Sequence, residues 1–136
     1  YLIQAAIAYL LADVTVAGIV GTGVYQKDTP LVGVSAPYIT VGFDFESKVL
    51  GLSSNRGTFS VICWYDDTPP ANITLLRQLA AEVRRIFDVD HAVSSIIAYK
   101  GGLKLRLLSL RDAPVLVDST DNLYYCPAEF DAILDT

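Results

Sequence analysis

The chain has 136 residues, 52% of them apolar and 18% charged. That balance fits one domain with a substantial core and excludes an intrinsically disordered segment. Its formal net charge of −5, with no run of Lys or Arg, excludes a protein that grips nucleic acid through a basic stripe. The apolar surplus implies that other subunits cover part of the surface.

In chain order, LIQAAIAYLLA (2–12) is rich in Ala and Leu and predicts a helix. Leu2, Ala6, Tyr9 and Leu10 follow helical spacing, with Ile3, Ile7 and Leu11 beside them; so broad a face predicts a largely covered helix. Asp13 or Thr15 can cap a short second helix, and Gly21 can stop it. A brief strand at Val24–Tyr25 follows. PYITVGFDF (37–45) alternates, with Ile39, Val41, Phe43 and Phe45 on one side, and predicts a strand. Residues 46–57 read as a long hairpin loop carrying Val49, Leu50 and Leu52.

TFSVICWYDD (58–67) alternates again, with Phe59, Val61, Cys63 and Tyr65 on one side. Ile62 and Trp64 make the other side apolar too, which suits a central strand. In 68–88 the spacing of Ile73, Leu76, Leu79, Ala80, Val83, Ile86 and Phe87 predicts the strongest helix, started by Thr68–Pro69 or by Asn72. Arg77, Glu82, Arg84 and Arg85 take its solvent side. Residues 92–110 read as a hairpin turning at Gly101–Gly102. Leu103, Leu105 and Leu107 alternate, and then Leu108 and Leu110 become the apolar set, which predicts a bulge near Leu107–Leu108. A strand resumes after Pro114 at VLVD, and DSTDN (118–122) turns. LYYCPAEFDAI (123–133) closes the chain with Tyr124, Cys126, Ala128 and Phe130 on one face. Pro127 cannot donate to a ladder, so an edge strand is expected there. With neither repeat nor linker, the order α, β, β, α, β, β, β predicts a single α+β domain over 1–136, two main helices packed on a mostly antiparallel sheet.

The chemical candidates are few. Gly18, Gly21 and Gly23 in AGIVGTGVYQ (17–26) reverse the dinucleotide spacing, and they follow helical sequence instead of preceding it. They are expected to connect a helix to a strand. Asp66–Asp67 lie just before a helix start, where acids complement the helix dipole. His91, the single histidine, has no ligand-spaced partner, and no C-x-x-C occurs. Cys63 and Cys126 are expected to be small, buried and reduced, because a disulfide would need an oxidising compartment for which nothing else argues. No Ser/His/Asp or Cys/His set can be assembled, so the expectation is no enzyme, no catalytic residue, no metal and no cofactor. AAIAYLLA (5–12) is too short to span a membrane and lacks a basic flank, so no targeting segment is expected.

The run of LLADVTVAGIVGTGVY, PYITVG, TFSVICWYDD, LLRQLAAEVRRIFD and IIAYKGGLKLRLLSLRDAPVLVDSTDNLYYCPAEFDAIL resembles the tail terminator, or tail-to-head joining (tail-completion), proteins of long-tailed bacteriophages. The likeness covers nearly the full chain and lies in the order and spacing of the pieces. It implies a structural virion protein, assembled in the host cytoplasm. Such a protein forms a ring, commonly hexameric, at the head-proximal end of the tail tube. The ring stops tube growth and presents a surface to the head connector or stopper, with genome DNA passing through its lumen. The partners implied are further copies of the chain, the tail-tube protein and the connector, with no membrane and no sequence-specific DNA contact. The family has no catalytic motif to carry over. An acidic balance suits a lumen through which DNA must slide. From the residues alone, Val49, Leu50 and Leu52 on a loop, and Phe130, Ile133 and Leu134 ending an edge strand, are the expected interface. The alternatives are another neck component, such as a stopper, and a tail-tube subunit.

Overall fold

The computed structural model describes residues 2–29, 33–45, 56–66, 71–87, 96–98, 104–112, 115–118 and 122–135. Two helices open the chain, α1 (Leu2–Ala12) and α2 (Val14–Val20), and the pair bends by 95° between them. Asp13 makes the corner: its Oδ1 accepts from the N–H groups of Thr15 (3.0 Å) and Val16 (3.1 Å), capping α2. Gly21, at φ 63°, ends α2 and donates its N–H to the Ala17 carbonyl at 2.8 Å. Positive φ is a conformation that glycine adopts without steric cost.

Seven strands and a third helix follow: β1 (Val24–Gln26), β2 (Tyr38–Phe45), β3 (Arg56–Asp66), α3 (Ala71–Ile86), β4 (Ile96–Ala98), β5 (Lys104–Asp112), β6 (Leu116–Asp118) and β7 (Leu123–Asp135). They form one sheet in the order β1-β2-β3-β7-β5-β4, with β6 paired to β7. Every pairing is antiparallel except β1–β2. The architecture is α+β, as expected. Asn72 lies within α3 and does not begin it; its Nδ2 donates to the Asp66 carbonyl at 3.2 Å and ties the helix to the end of β3.

The register aligns one apolar row after another on the helix-covered face. Ile39 faces Cys63, and Cys63 faces Cys126. Val41, Val61 and Ala128 form the next row, then Phe43, Phe59 and Phe130. Against these lie Ala6 and Leu10 of α1, Val16 of α2, and Leu76, Leu79, Ala80 and Val83 of α3, with Phe87 just beyond it, all in one buried cluster. Three rings mark its centre: Phe59 and Phe87 at 5.4 Å, Phe59 and Phe130 at 5.9 Å, Phe87 and Phe130 at 6.2 Å. Burying each such side chain stabilises the fold by about 1.5–3 kcal/mol.

Four local expectations need correction. Tyr9, expected on the covered face of α1, is 45% exposed, and the buried line runs through Ala6 and Leu10. The bulge falls where expected, between Leu107 and Ser109, but Leu108 is the extra residue and is exposed, while Leu110 comes opposite Phe130 on the core row. β7 is not an edge strand: it pairs with β3 from Leu123 to Ile133, and with β6 and β5 on its other side. Pro127 fits there because the β5 ladder stops at Ala128 and the β6 ladder starts at Tyr125. A missing N–H costs no ladder bond in that gap. Finally, Phe130 is fully buried in the core, so its ring serves this chain and offers no surface to a neighbour. The Gly101–Gly102 turn, His91 and Asp67 lie outside the described residues.

Candidate functional site

One face of the sheet is covered by α1 and α3, and the opposite face carries no helix. Strand alternation places Tyr38, Thr40, Gly42 and Asp44 of β2 on that second face. Thr58, Ser60, Ile62 and Trp64 of β3 line up with them, as do Asp131, Glu129, Pro127 and Tyr125 of β7.

The face divides along the strands into an aromatic end and a charged end. At the aromatic end, Tyr38 stacks on Trp64 at 6.1 Å and Trp64 on Tyr125 at 4.9 Å, with Tyr25 of β1 edge-on to Tyr38 at 6.3 Å. The Trp64 indole N–H donates to Thr40 Oγ1 at 3.0 Å, which satisfies its polar edge beside a buried threonine. Leu116 lies opposite Tyr125 and continues the row onto β6; it is 38% exposed, and its neighbour Val117 58%. At the other end Arg111 Nη2 lies 3.3 Å from Asp131 Oδ1 and 3.8 Å from Glu129 Oε2, and donates to Thr58 Oγ1 at 3.1 Å. Ser109 Oγ donates to the second Asp131 oxygen at 2.9 Å. Lys27 runs its stem across Gly42, where a Cβ would come within 2.8 Å of Lys27 Cδ, and its Nζ reaches Asp44 Oδ2 at 3.3 Å. Acid answers base throughout this end, so it presents no unbalanced field.

Of the six residues expected at an interface, Val49, Leu50 and Leu52 lie outside the described residues. Phe130 is in the core. Ile133 is half-buried on the helix-free face, in register with Arg56 and Arg106, and Leu134 holds a β7 position opposite Leu105. The structure therefore does not gather the six into one patch. The aromatic row was missed because its members come from β1, β2, β3 and β7 and meet only through strand register. The one sequence signal was Trp64 and Ile62 on the second side of β3.

The glycines of 17–26 connect a helix to a strand, as expected: Gly18 lies within α2, Gly21 ends it, and Gly23 directly precedes β1. They follow the carbonyl end of a helix, whose partial negative charge opposes an anion. Among the described residues no three His, Cys, Asp or Glu side chains group to hold a metal ion.

No protein-family profile and no curated protein matches the sequence. Solved structures do match. A chain in the virion of a native gene transfer agent (GTA) particle shares this fold. The two superimpose with a TM-score of 0.62 at 19% identity, over 98% of this chain and 93% of that one. At that identity the likeness establishes the fold, and it does so from end to end: both helical layers and the whole sheet lie within the shared part.

Proposed function

We propose that this chain is a structural protein of a phage-like virion and that it acts as a tail terminator. In this reading, copies close into a ring on the head-proximal end of the tail tube, stop the addition of tube subunits, and present a docking surface to the head connector while DNA passes through the lumen. The observation that carries the virion role is the fold shared along nearly the whole chain with a subunit of a GTA virion. The terminator role draws on the order and spacing of the sequence pieces described above. An apolar composition and a surface with charge pairs but no gathered polar constellation agree with a protein whose work is contact, not chemistry.

Electron microscopy of the purified protein, alone and mixed with headless tails, tests this. Single rings, or rings capping one end of each tube, are the expected result. Long stacked tubes of the protein alone would assign it to the tail-tube subunits instead. A chain that stays monomeric, ignores tube ends and fails to complement terminator-deficient tails would overturn the proposal.

A further inference from the structure

The two cysteines, 63 residues apart in sequence, meet in the sheet. Cys63 of β3 is the direct register partner of Cys126 of β7, on the core face. The backbone fixes what kind of pair this is. Ile39 N donates to the Gly23 carbonyl, and the Val41 carbonyl accepts from Lys27 N, each at 2.8 Å, so residues 39 and 41 turn their polar groups toward β1. By alternation Thr40 turns toward β3, Ile62 toward β2, and Cys63 toward β7. Cys63 and Cys126 therefore form a hydrogen-bonded antiparallel pair, whose Cα atoms lie about 5.5 Å apart. That is within the roughly 4.4–6.8 Å that a disulfide spans. Both are free thiols here, 1% and 5% exposed. Burial, with Cys126 alongside, pushes the Cys63 thiol up, so the closed fold holds the pair in its unreactive protonated form.

We propose that Cys63 and Cys126 are a dithiol–disulfide couple built into the two central strands, convertible by a disulfide oxidant into a bond that staples β3 to β7. In the first step one cysteine thiolate attacks oxidised glutathione, forming a mixed disulfide and releasing one glutathione thiolate. In the second step the other cysteine thiolate attacks the protein sulfur of that mixed disulfide, forming the protein S–S bond and releasing the second glutathione. Two S–H protons pass to solvent, and two electrons pass to the glutathione disulfide. Because both thiols are buried, the first step waits on local opening of the sheet. Once formed, the bond closes a loop of roughly 60 residues and removes that freedom from the unfolded chain.

The test equilibrates the full chain in graded mixtures of reduced and oxidised glutathione, once in native buffer and once in denaturing urea. Equilibrium is approached from both the reduced and the pre-oxidised protein, so slow access does not decide the result. Acid quenching and mass spectrometry then count linked chains, each lighter by about 2 Da, and peptide mapping locates the bond. The expected result is a Cys63–Cys126 link whose effective concentration in the native chain exceeds that in urea by about 30-fold or more. By the thermodynamic cycle, the linked chain resists unfolding by the same factor. Cys126→Ser should give no link and at most one glutathione adduct. A native effective concentration no higher than in urea, or mixed disulfides and free thiols as the only native species at equilibrium, would overturn the proposal. This comparison stands on the unaltered chain even where the serine variant fails to fold.

Discussion

Asp13 uses its two oxygens in two directions. Oδ1 caps α2, and Oδ2 accepts from Arg85 Nη2 at 2.6 Å, joining the α1–α2 corner to the last turn of α3. The Arg85 hydrogen bond, followed by that from the Val16 N–H, holds the Asp13 carboxyl below its ordinary 3.8. A carboxylate whose folded value is depressed contributes stability above its unfolded value and loses it as pH falls through the folded one. The advantage of the native protein over Asp13→Asn in urea denaturation should thus be full at neutral pH and vanish below about pH 4. Asp13→Ala, which also removes the cap, should cost about 1–2 kcal/mol at neutral pH by the same measurement. Gly57 shows a different constraint. A Cβ there would lie 2.2 Å from the Asp44 carbonyl oxygen and 2.9 Å from Phe43 Cζ. Gly57→Ala must push two strands apart and should lower stability by about 2–3 kcal/mol. The sequence marks Asp13 as a cap, because a helix start announces itself within a few residues. It gives no hint of Arg85 or Asp44, whose roles arise across 72 positions in one case and across a strand pair in the other.

At the scale of elements, α2 and β7 carry opposite lessons. Gly18 sits inside α2 with open space where a Cβ would go, so Gly18→Ala should stabilise the fold by about 0.5–1 kcal/mol through the unfolded chain's lost freedom. Thermal melts of the two proteins check this. β7 was legible as a strand but not as a central one. Pro127 argued for an edge, and the actual arrangement, a proline between the ends of two partner strands, depends on where β5 stops and β6 begins. The burial of Phe130 follows from that centrality. Phe130→Ala should cost about 3–5 kcal/mol in the denaturation of the dilute chain. An effect confined to assembly, with the dilute chain unchanged, would instead return Phe130 to the interface.

For the whole molecule, one buried cluster joins all three helices to β1, β2, β3, β5 and β7. Unfolding should therefore be a single transition, with the fluorescence of Trp64 (the one tryptophan) and far-UV circular dichroism coinciding along a urea titration. Separate midpoints would show that the α1–α2 corner opens independently of the sheet. The sheet ends in three-residue strands on both sides, β1 and β4, and short edges are poor templates for strand addition. A ring of such chains is expected to close through faces and loops, not by extending the sheet across subunits.

What the sequence determined by itself was local: the helix of 2–12, its cap and its glycine stop, the amphipathic α3, the alternating strands, and the bulge at Leu107–Ser109. Each is written in a period or a terminus that spans a few residues and needs no distant partner to be read. Tertiary structure alone decided which strands are neighbours. That choice placed β7 at the centre, took Phe130 into the core, drew Tyr25, Tyr38, Trp64 and Tyr125 into one row, and set Cys63 against Cys126. Pairing between strands far apart in the chain is selected by how well whole apolar faces match when they pack, an energy summed over the molecule that no single stretch of residues carries.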